Sequence, residues 1–139
     1  MTVYIDSSVL LRVVLGEPDR LESWSRIDQP ISSQLIRVEC LRTIDRARIV
    51  LGLNDAAVAE RRAAVLEVLQ TFSLIAVNRA VLQRAAEPFP TTLGSLDAIH
   101  LASALLLREH VDGLTIATHD LELGLAAQAL GFDVDGLPT

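Results

Sequence analysis

The 139-residue chain is half hydrophobic and carries a formal charge of −6, from 18 acidic and 12 basic residues. That length suits a single domain spanning 1–139, and the apolar content can fill a core without disulfides, which the lone Cys40 cannot form internally. The N-terminus lacks a leader pattern and the longest apolar run, 101–107, is too short for a bilayer, so a cytoplasmic protein without a membrane segment is expected. Net acidity weighs against a nucleic-acid partner, because phosphate contacts supply much of such affinity. Every basic residue is an arginine, which grips phosphate bidentately, although composition bias is the simpler account of the missing lysine.

In chain order, Val3-Tyr4-Ile5 is a β-rich run ended by Asp6-Ser7-Ser8, residues that suit the start of a helix over the apolar stretch 9–15. Gly16 stops that helix. Glu17-Pro18-Asp19 opens a second short helix ending near Arg26, with proline and acids in its first turn. Pro30-Ile31-Ser32 reads as a strand. Ser33 caps a helix from Gln34 to about Leu51, stopped by Gly52, with Leu35, Val38, Leu41, Ile44 and Ile49 as an approximate apolar stripe. Asn54-Asp55 caps a helix carrying Val58, Val65, Leu66 and Leu69 on one side. Residues 73–77 form a buried strand, and Asn78 caps the helix after it. Beyond Pro88-Phe89-Pro90, Ser95 caps an apolar helix from Leu96 to about Glu109. Residues 114–118 make another strand, a helix follows from about Asp120 to Leu130, and 132–134 is the last strand. Strands alternating with long crossovers predict a mainly parallel sheet covered on both faces, a three-layer α/β/α sandwich.

In such a fold, chemistry gathers beyond the carboxyl ends of the strands. Asp6 ends the first strand and Asp120 follows the fourth, while Asp97 lies in the first turn of a helix that should face the same edge. Glu39 sits inside a helix among apolar neighbours, where a carboxylate calls for a partner. Each acid also has an ordinary explanation. Arg42 or Arg46 could pair with Glu39, Asp6 and Asp120 could cap helices, and Asp97 could favour a helix dipole. Together the four acids suit phosphodiester cleavage, since clustered carboxylates must bind protons or cations and hard Mg²⁺ or Mn²⁺ prefers oxygen ligands. Two such ions would cancel four charges and leave −2. Ser7, Ser8 and Thr118 supply hydroxyls nearby.

Val-Tyr-Ile-Asp6-Ser-Ser, the helical Glu39, Ser-Leu-Asp97-Ala-Ile-His-Leu-Ala-Ser-Ala and Ala-Thr-His-Asp120 resemble the PIN-domain nucleases. Length and element order are most similar to the VapC toxins of bacterial toxin–antitoxin pairs. The resemblance covers essentially the whole chain, with 97–104 and 118–120 its most specific parts. It implies that Asp6, Glu39, Asp97 and Asp120 bind Mg²⁺ or Mn²⁺, two ions at full occupancy. It further implies endoribonucleolytic cleavage of structured RNA such as tRNA or rRNA, a homodimer, and a small antitoxin covering a hydrophobic groove and the active site. Leu93-Gly94 departs from the pattern, where a basic residue often precedes the Asp97 motif.

Other residues have competing readings. His100, one turn from Asp97, is either a metal ligand or a packed, hydrogen-bonded core residue, and the apolar helix favours the second. His119 reads as a solvated loop residue near the site, and His110 suits a helix C-terminus. Cys40 has no basic neighbour to activate it. Arg37, Arg42, Arg46 and Arg48 are read mainly as a solvated helix face, and Trp24 as core or, by preference, part of a partner groove. A phosphatase reading fails because Ser8 stands where a second Asp is needed and no lysine exists, and no Gly-rich loop follows a strand. The alternative from another class is a non-catalytic PIN-fold binding module.

Overall fold

A computed structural model describes residues 1–138. The strands are β1 (Thr2–Ile5), β2 (Gln29–Ser33), β3 (Ser73–Ile75), β4 (Thr115–Ala117) and β5 (Asp133–Asp135). The helices are α1 (Ser7–Val14), α2 (Leu35–Val50), α3 (Asp55–Leu69), α4 (Arg79–Ala85), α5 (Ser95–Arg108) and α6 (Leu121–Ala129). All strand pairs are parallel, in the order β3-β2-β1-β4-β5. The chain therefore builds outward from β1 on one side, then crosses to β4 on the other. That reversal opens a crevice between the carboxyl ends of β1 and β4.

Alternation along β1 divides its side chains between the two faces. Val3 and Ile5 join a core with Val9 and Leu10 of α1, Ile36, Cys40 and Ile44 of α2, and Val58 and Val65 of α3. Tyr4 points the other way, into a core with Leu101 and Ala104 of α5, Ile116 of β4 and Leu123 of α6. The result is the expected three-layer sandwich.

Several local expectations are revised. Residues 17–19 form no helix; only a 3-10 turn at Glu22–Arg26 follows α1. The strand expected at 73–77 is short and lies at the sheet edge, where Ser73 and Leu74 are exposed. In α2 the buried face is Ile36, Cys40, Leu41 and Ile44, whereas Val38 and Ile49 face outward. Ser33 ends β2, yet its Oγ accepts the Leu35 N–H at 3.1 Å, so it serves the start of α2. Gly94, not Ser95, occupies the N-cap of α5. Asn54 and Asn78 do cap their helices, accepting from the N–H groups of Ala57 and Val81. No helix among the described residues is long and apolar enough to cross a membrane.

Gly136, just after β5, adopts φ +99°, and a Cβ there would stand 2.8 Å from the Thr118 carbonyl oxygen and 3.2 Å from His119 Nδ1. Gly52 has a similar backbone (φ +64°) but open space around it. Gly136→Ala should therefore cost about 1–3 kcal/mol, and more than Gly52→Ala, in urea unfolding at unchanged slope. Equal losses would mean that only the backbone angle matters.

Candidate active site

Asp6 is 3% exposed at the carboxyl end of β1. It occupies the N-cap of α1, but its side chain makes no capping bond, so helix capping does not account for it. Instead Oδ2 accepts hydrogen bonds from Ser8 Oγ at 2.7 Å and Thr118 Oγ1 at 2.9 Å. Both hydroxyls are themselves oriented. The His119 N–H donates to Ser8 Oγ and the Asp120 N–H donates to Thr118 Oγ1, each at 3.0 Å. The Asp6 N–H in turn donates to the Ala117 carbonyl at 2.9 Å, carrying the β1–β4 pairing up to the acid. One carboxylate oxygen is thus locked from two sides.

Asp120 lies just beyond β4, and its Oδ1 accepts the Leu123 N–H at 2.9 Å as the N-cap of α6. Capping occupies that one oxygen only. Asp97, in the first turn of α5, behaves unlike an acid resting on a helix dipole, which would hold its pKa down. Partial burial, followed by the charges of Asp6 and Asp120, pushes it up to about 6; His100 lowers it and Glu39 adds a lesser rise. Four carboxylates therefore share one field.

Glu39 pairs with neither arginine proposed for it. Arg42 bonds Asp45 at 3.1 Å, while Glu39 Oε1 accepts a short hydrogen bond from His100 Nε2. His100 is the packed residue favoured above, 1% exposed, and its Nδ1 meets the Tyr4 hydroxyl at 2.7 Å. Burial disfavours its charged form, but the Glu39 hydrogen bond and the surrounding carboxylates outweigh this and raise its pKa. Cys40 is inert, its thiol pushed up to about 12 by burial and then by Glu39 and Asp6. Ser7 lines the groove beside Glu39, and it is Ser8 that bonds Asp6. Sequence reasoning did not foresee the Tyr4–His100–Glu39 link or the part played by the His119 backbone. No local pattern signals a contact between residues 39 and 100, and no pattern marks a loop N–H as a donor.

The donor set fits a divalent cation. It is all carboxylate and hydroxyl oxygen, none of the four acids is bonded to an arginine among the described residues, and the buried Asp6 accepts from two neutral hydroxyls. Among the described residues, no three acid, histidine or cysteine side chains are arranged to hold an ion, so binding would need the side chains to move.

A fold of this topology with acids at the β1–β4 crevice defines a class, and comparison supplies its name. The PIN-domain profile matches residues 3–127, and the chain belongs to the PIN-domain family. Within it the chain is of the VapC type. It is 35% identical over 136 residues to "Ribonuclease VapC46" of Mycobacterium tuberculosis (strain ATCC 25618 / H37Rv), covering 95% of each protein. The fold resembles that of a toxin–antitoxin complex from Klebsiella pneumoniae (TM-score 0.66, 18% identity, 99% and 97% of the two chains covered). It likewise resembles VapBC2 from Rickettsia felis bound to a DNA fragment from their promoter (TM-score 0.67, 10% identity, 97% and 98% covered).

The raised acid yields a pH prediction for the metal-free protein. A carboxyl whose folded pKa exceeds its unfolded value of 3.8 contributes stability that is fully present below 3.8 and lost as pH rises through about 6. His100, also raised, acts in the same direction near neutral pH. Tm should therefore fall between about pH 4 and about pH 6, and Asp97→Asn should flatten that fall. An unchanged fall in the variant would show that the acids do not share a field.

Proposed function

We propose that this VapC-type PIN domain is an endoribonuclease toxin whose acids Asp6, Glu39, Asp97 and Asp120 bind Mg²⁺ or Mn²⁺, two ions at full occupancy. The observation that carries the reading is Asp6, 3% exposed with the hydroxyls of Ser8 and Thr118 on one carboxylate oxygen, in a group of four acids none of which is bonded to an arginine among the described residues. A charge concentration of this kind is tolerable when cations occupy it. Divalent ions supply Lewis-acid activation of water and stabilisation of the departing oxygen of a phosphodiester. The chain's own contribution is orientation. Ser8 and Thr118 hold one oxygen of Asp6, the start of α6 holds one oxygen of Asp120, and His100 holds one oxygen of Glu39. The remaining oxygens are left for ligation.

The substrate in this reading is structured RNA, tRNA or rRNA. A groove of about 480 Å³ runs from Glu39 past Thr43 to Arg42 and Arg46, with Val38 and Leu96 on its rim. Arg46 makes no ion pair among the described residues and lies about 10 Å along the helix axis from Glu39, within reach of a neighbouring phosphate. A cognate small antitoxin neutralises the enzyme. The name of the relative, a ribonuclease, supports an RNA substrate, and the toxin–antitoxin complexes of similar fold support an antitoxin partner. Trp24, half-buried against the core and tilted on Phe72, also borders a cavity of about 320 Å³ with Ile27, Pro30 and Val68, an apolar seat for such a partner. A homodimer completes the reading, with Leu121 and Leu125 exposed one turn apart on α6 as apolar surface.

Protein freed of any partner should cut RNA at discrete sites with Mg²⁺ or Mn²⁺, and chelator should abolish cutting. Asp97→Asn should slow it by about a hundredfold or more, the loss of a few kcal/mol of transition-state stabilisation. Cleavage that survives both treatments would refute the metal mechanism, and RNA binding without any cleavage would favour a non-catalytic module. On the Asp97→Asn background, Arg46→Ala should reduce the slope of log affinity against log salt for structured RNA by about 0.7–0.9, one phosphate contact. An unaltered slope would remove Arg46 from the RNA path.

A further inference from the structure

The Tyr4–His100–Glu39 chain crosses the molecule in an unusual direction. Tyr4 belongs to the core between the sheet and α5, whereas α2, which carries Glu39, packs against the opposite face. His100, on α5, bonds residues of both layers. Its ring is 1% exposed and stands edge-on to Tyr4, with centroids 5.8 Å apart and planes at 77°. Both nitrogens are engaged, Nδ1 with the Tyr4 hydroxyl at 2.7 Å and Nε2 with Glu39 Oε1. With each nitrogen committed, His100 has no free lone pair for an ion.

An unrestrained glutamate samples many rotamers, and ordering it on ligation costs free energy. Burial of the His100 ring and its bond to Tyr4 remove that freedom before any ion arrives. Partners that orient ligating carboxylates in this way typically contribute 10–100-fold to metal affinity.

We propose that His100 is a positioning residue, anchored by Tyr4, that holds Glu39 in the orientation needed to bind the cation. The inference rests on the metal-site reading above. It differs from a purely structural role, because it requires the donor at Nε2 and not merely the volume of the ring.

The test is Mn²⁺ binding to the full chain, read by the electron paramagnetic resonance of free against bound ion, with urea unfolding measured in parallel. His100→Ala should weaken Mn²⁺ about 10–100-fold. His100→Gln, which restores an N–H donor towards Glu39, should recover most of that loss even if its stability matches that of His100→Ala. Tyr4→Phe, which keeps the ring and removes the anchor, should weaken binding severalfold. If His100→Ala does not fold, the other two variants decide the matter, and wild-type affinity in Tyr4→Phe overturns the proposal. So does a His100→Gln protein as weak as His100→Ala, or wild-type affinity in His100→Ala. Asp6→Asn separates the two levels of the argument. If the wild type binds no Mn²⁺, or if Asp6→Asn binds it equally well, the metal-site reading itself fails and the inference falls with it.

Discussion

Asp6 brings a carboxylate into a position 3% exposed, and the surrounding chain meets it with two hydroxyls in place of an arginine. Hydroxyl donors lessen the cost of burial without cancelling the charge. Their own orientation comes from backbone N–H groups at the start of the segment after β4, so the pairing of β1 with β4 and the geometry of the acid are one structure. Asp97, Asp120 and Glu39 then add charge of the same sign around it. Every other feature of this edge answers that imbalance, either by tying down one oxygen of an acid or by leaving another oxygen open.

Such a site is unfavourable for folding, and the fold has to offset it. Two apolar cores do so, one on each face of a five-stranded parallel sheet whose central strand is nearly inaccessible to solvent. The three stacked layers also restrict where charge can go. Both faces of the sheet are covered by helices, so the carboxyl edge at the reversal of strand order is the opening that remains. Crowded acids and a rigid frame occur together for that reason, because only a well-packed scaffold can keep repelling side chains in place.

His100 shows how one residue can serve both parts. It belongs to the packed interior by burial and to the site by its bond to Glu39, and through Tyr4 it joins the central strand to an acid on the opposite layer. The arginines of α2 contribute differently. Arg42 is drawn into a local pair with Asp45, which leaves Glu39 to the histidine and Arg46 beside the open groove.

Element types, their order and the parallel sandwich were legible because they follow from local causes. Hydrophobic period, the caps Asn54 and Asn78, and the stops at Gly16 and Gly52 each act within a few residues. The convergence of Asp6, Asp97 and Asp120 was legible too, since a parallel sheet sends all of its strand ends to one edge. Burial at the sheet margin was not, because whether Leu74 is covered depends on which strand lies outermost. The face of α2 was misread at Val38 and Ile49 for a similar reason, since an apolar side chain is buried only where another layer meets it. The sequence by itself determined which acids the chain possesses and which end of the sheet they occupy. Only the tertiary structure decided that Glu39 turns to His100 and that Thr118 joins Ser8 on one oxygen of Asp6, because those choices depend on distances between segments far apart along the chain.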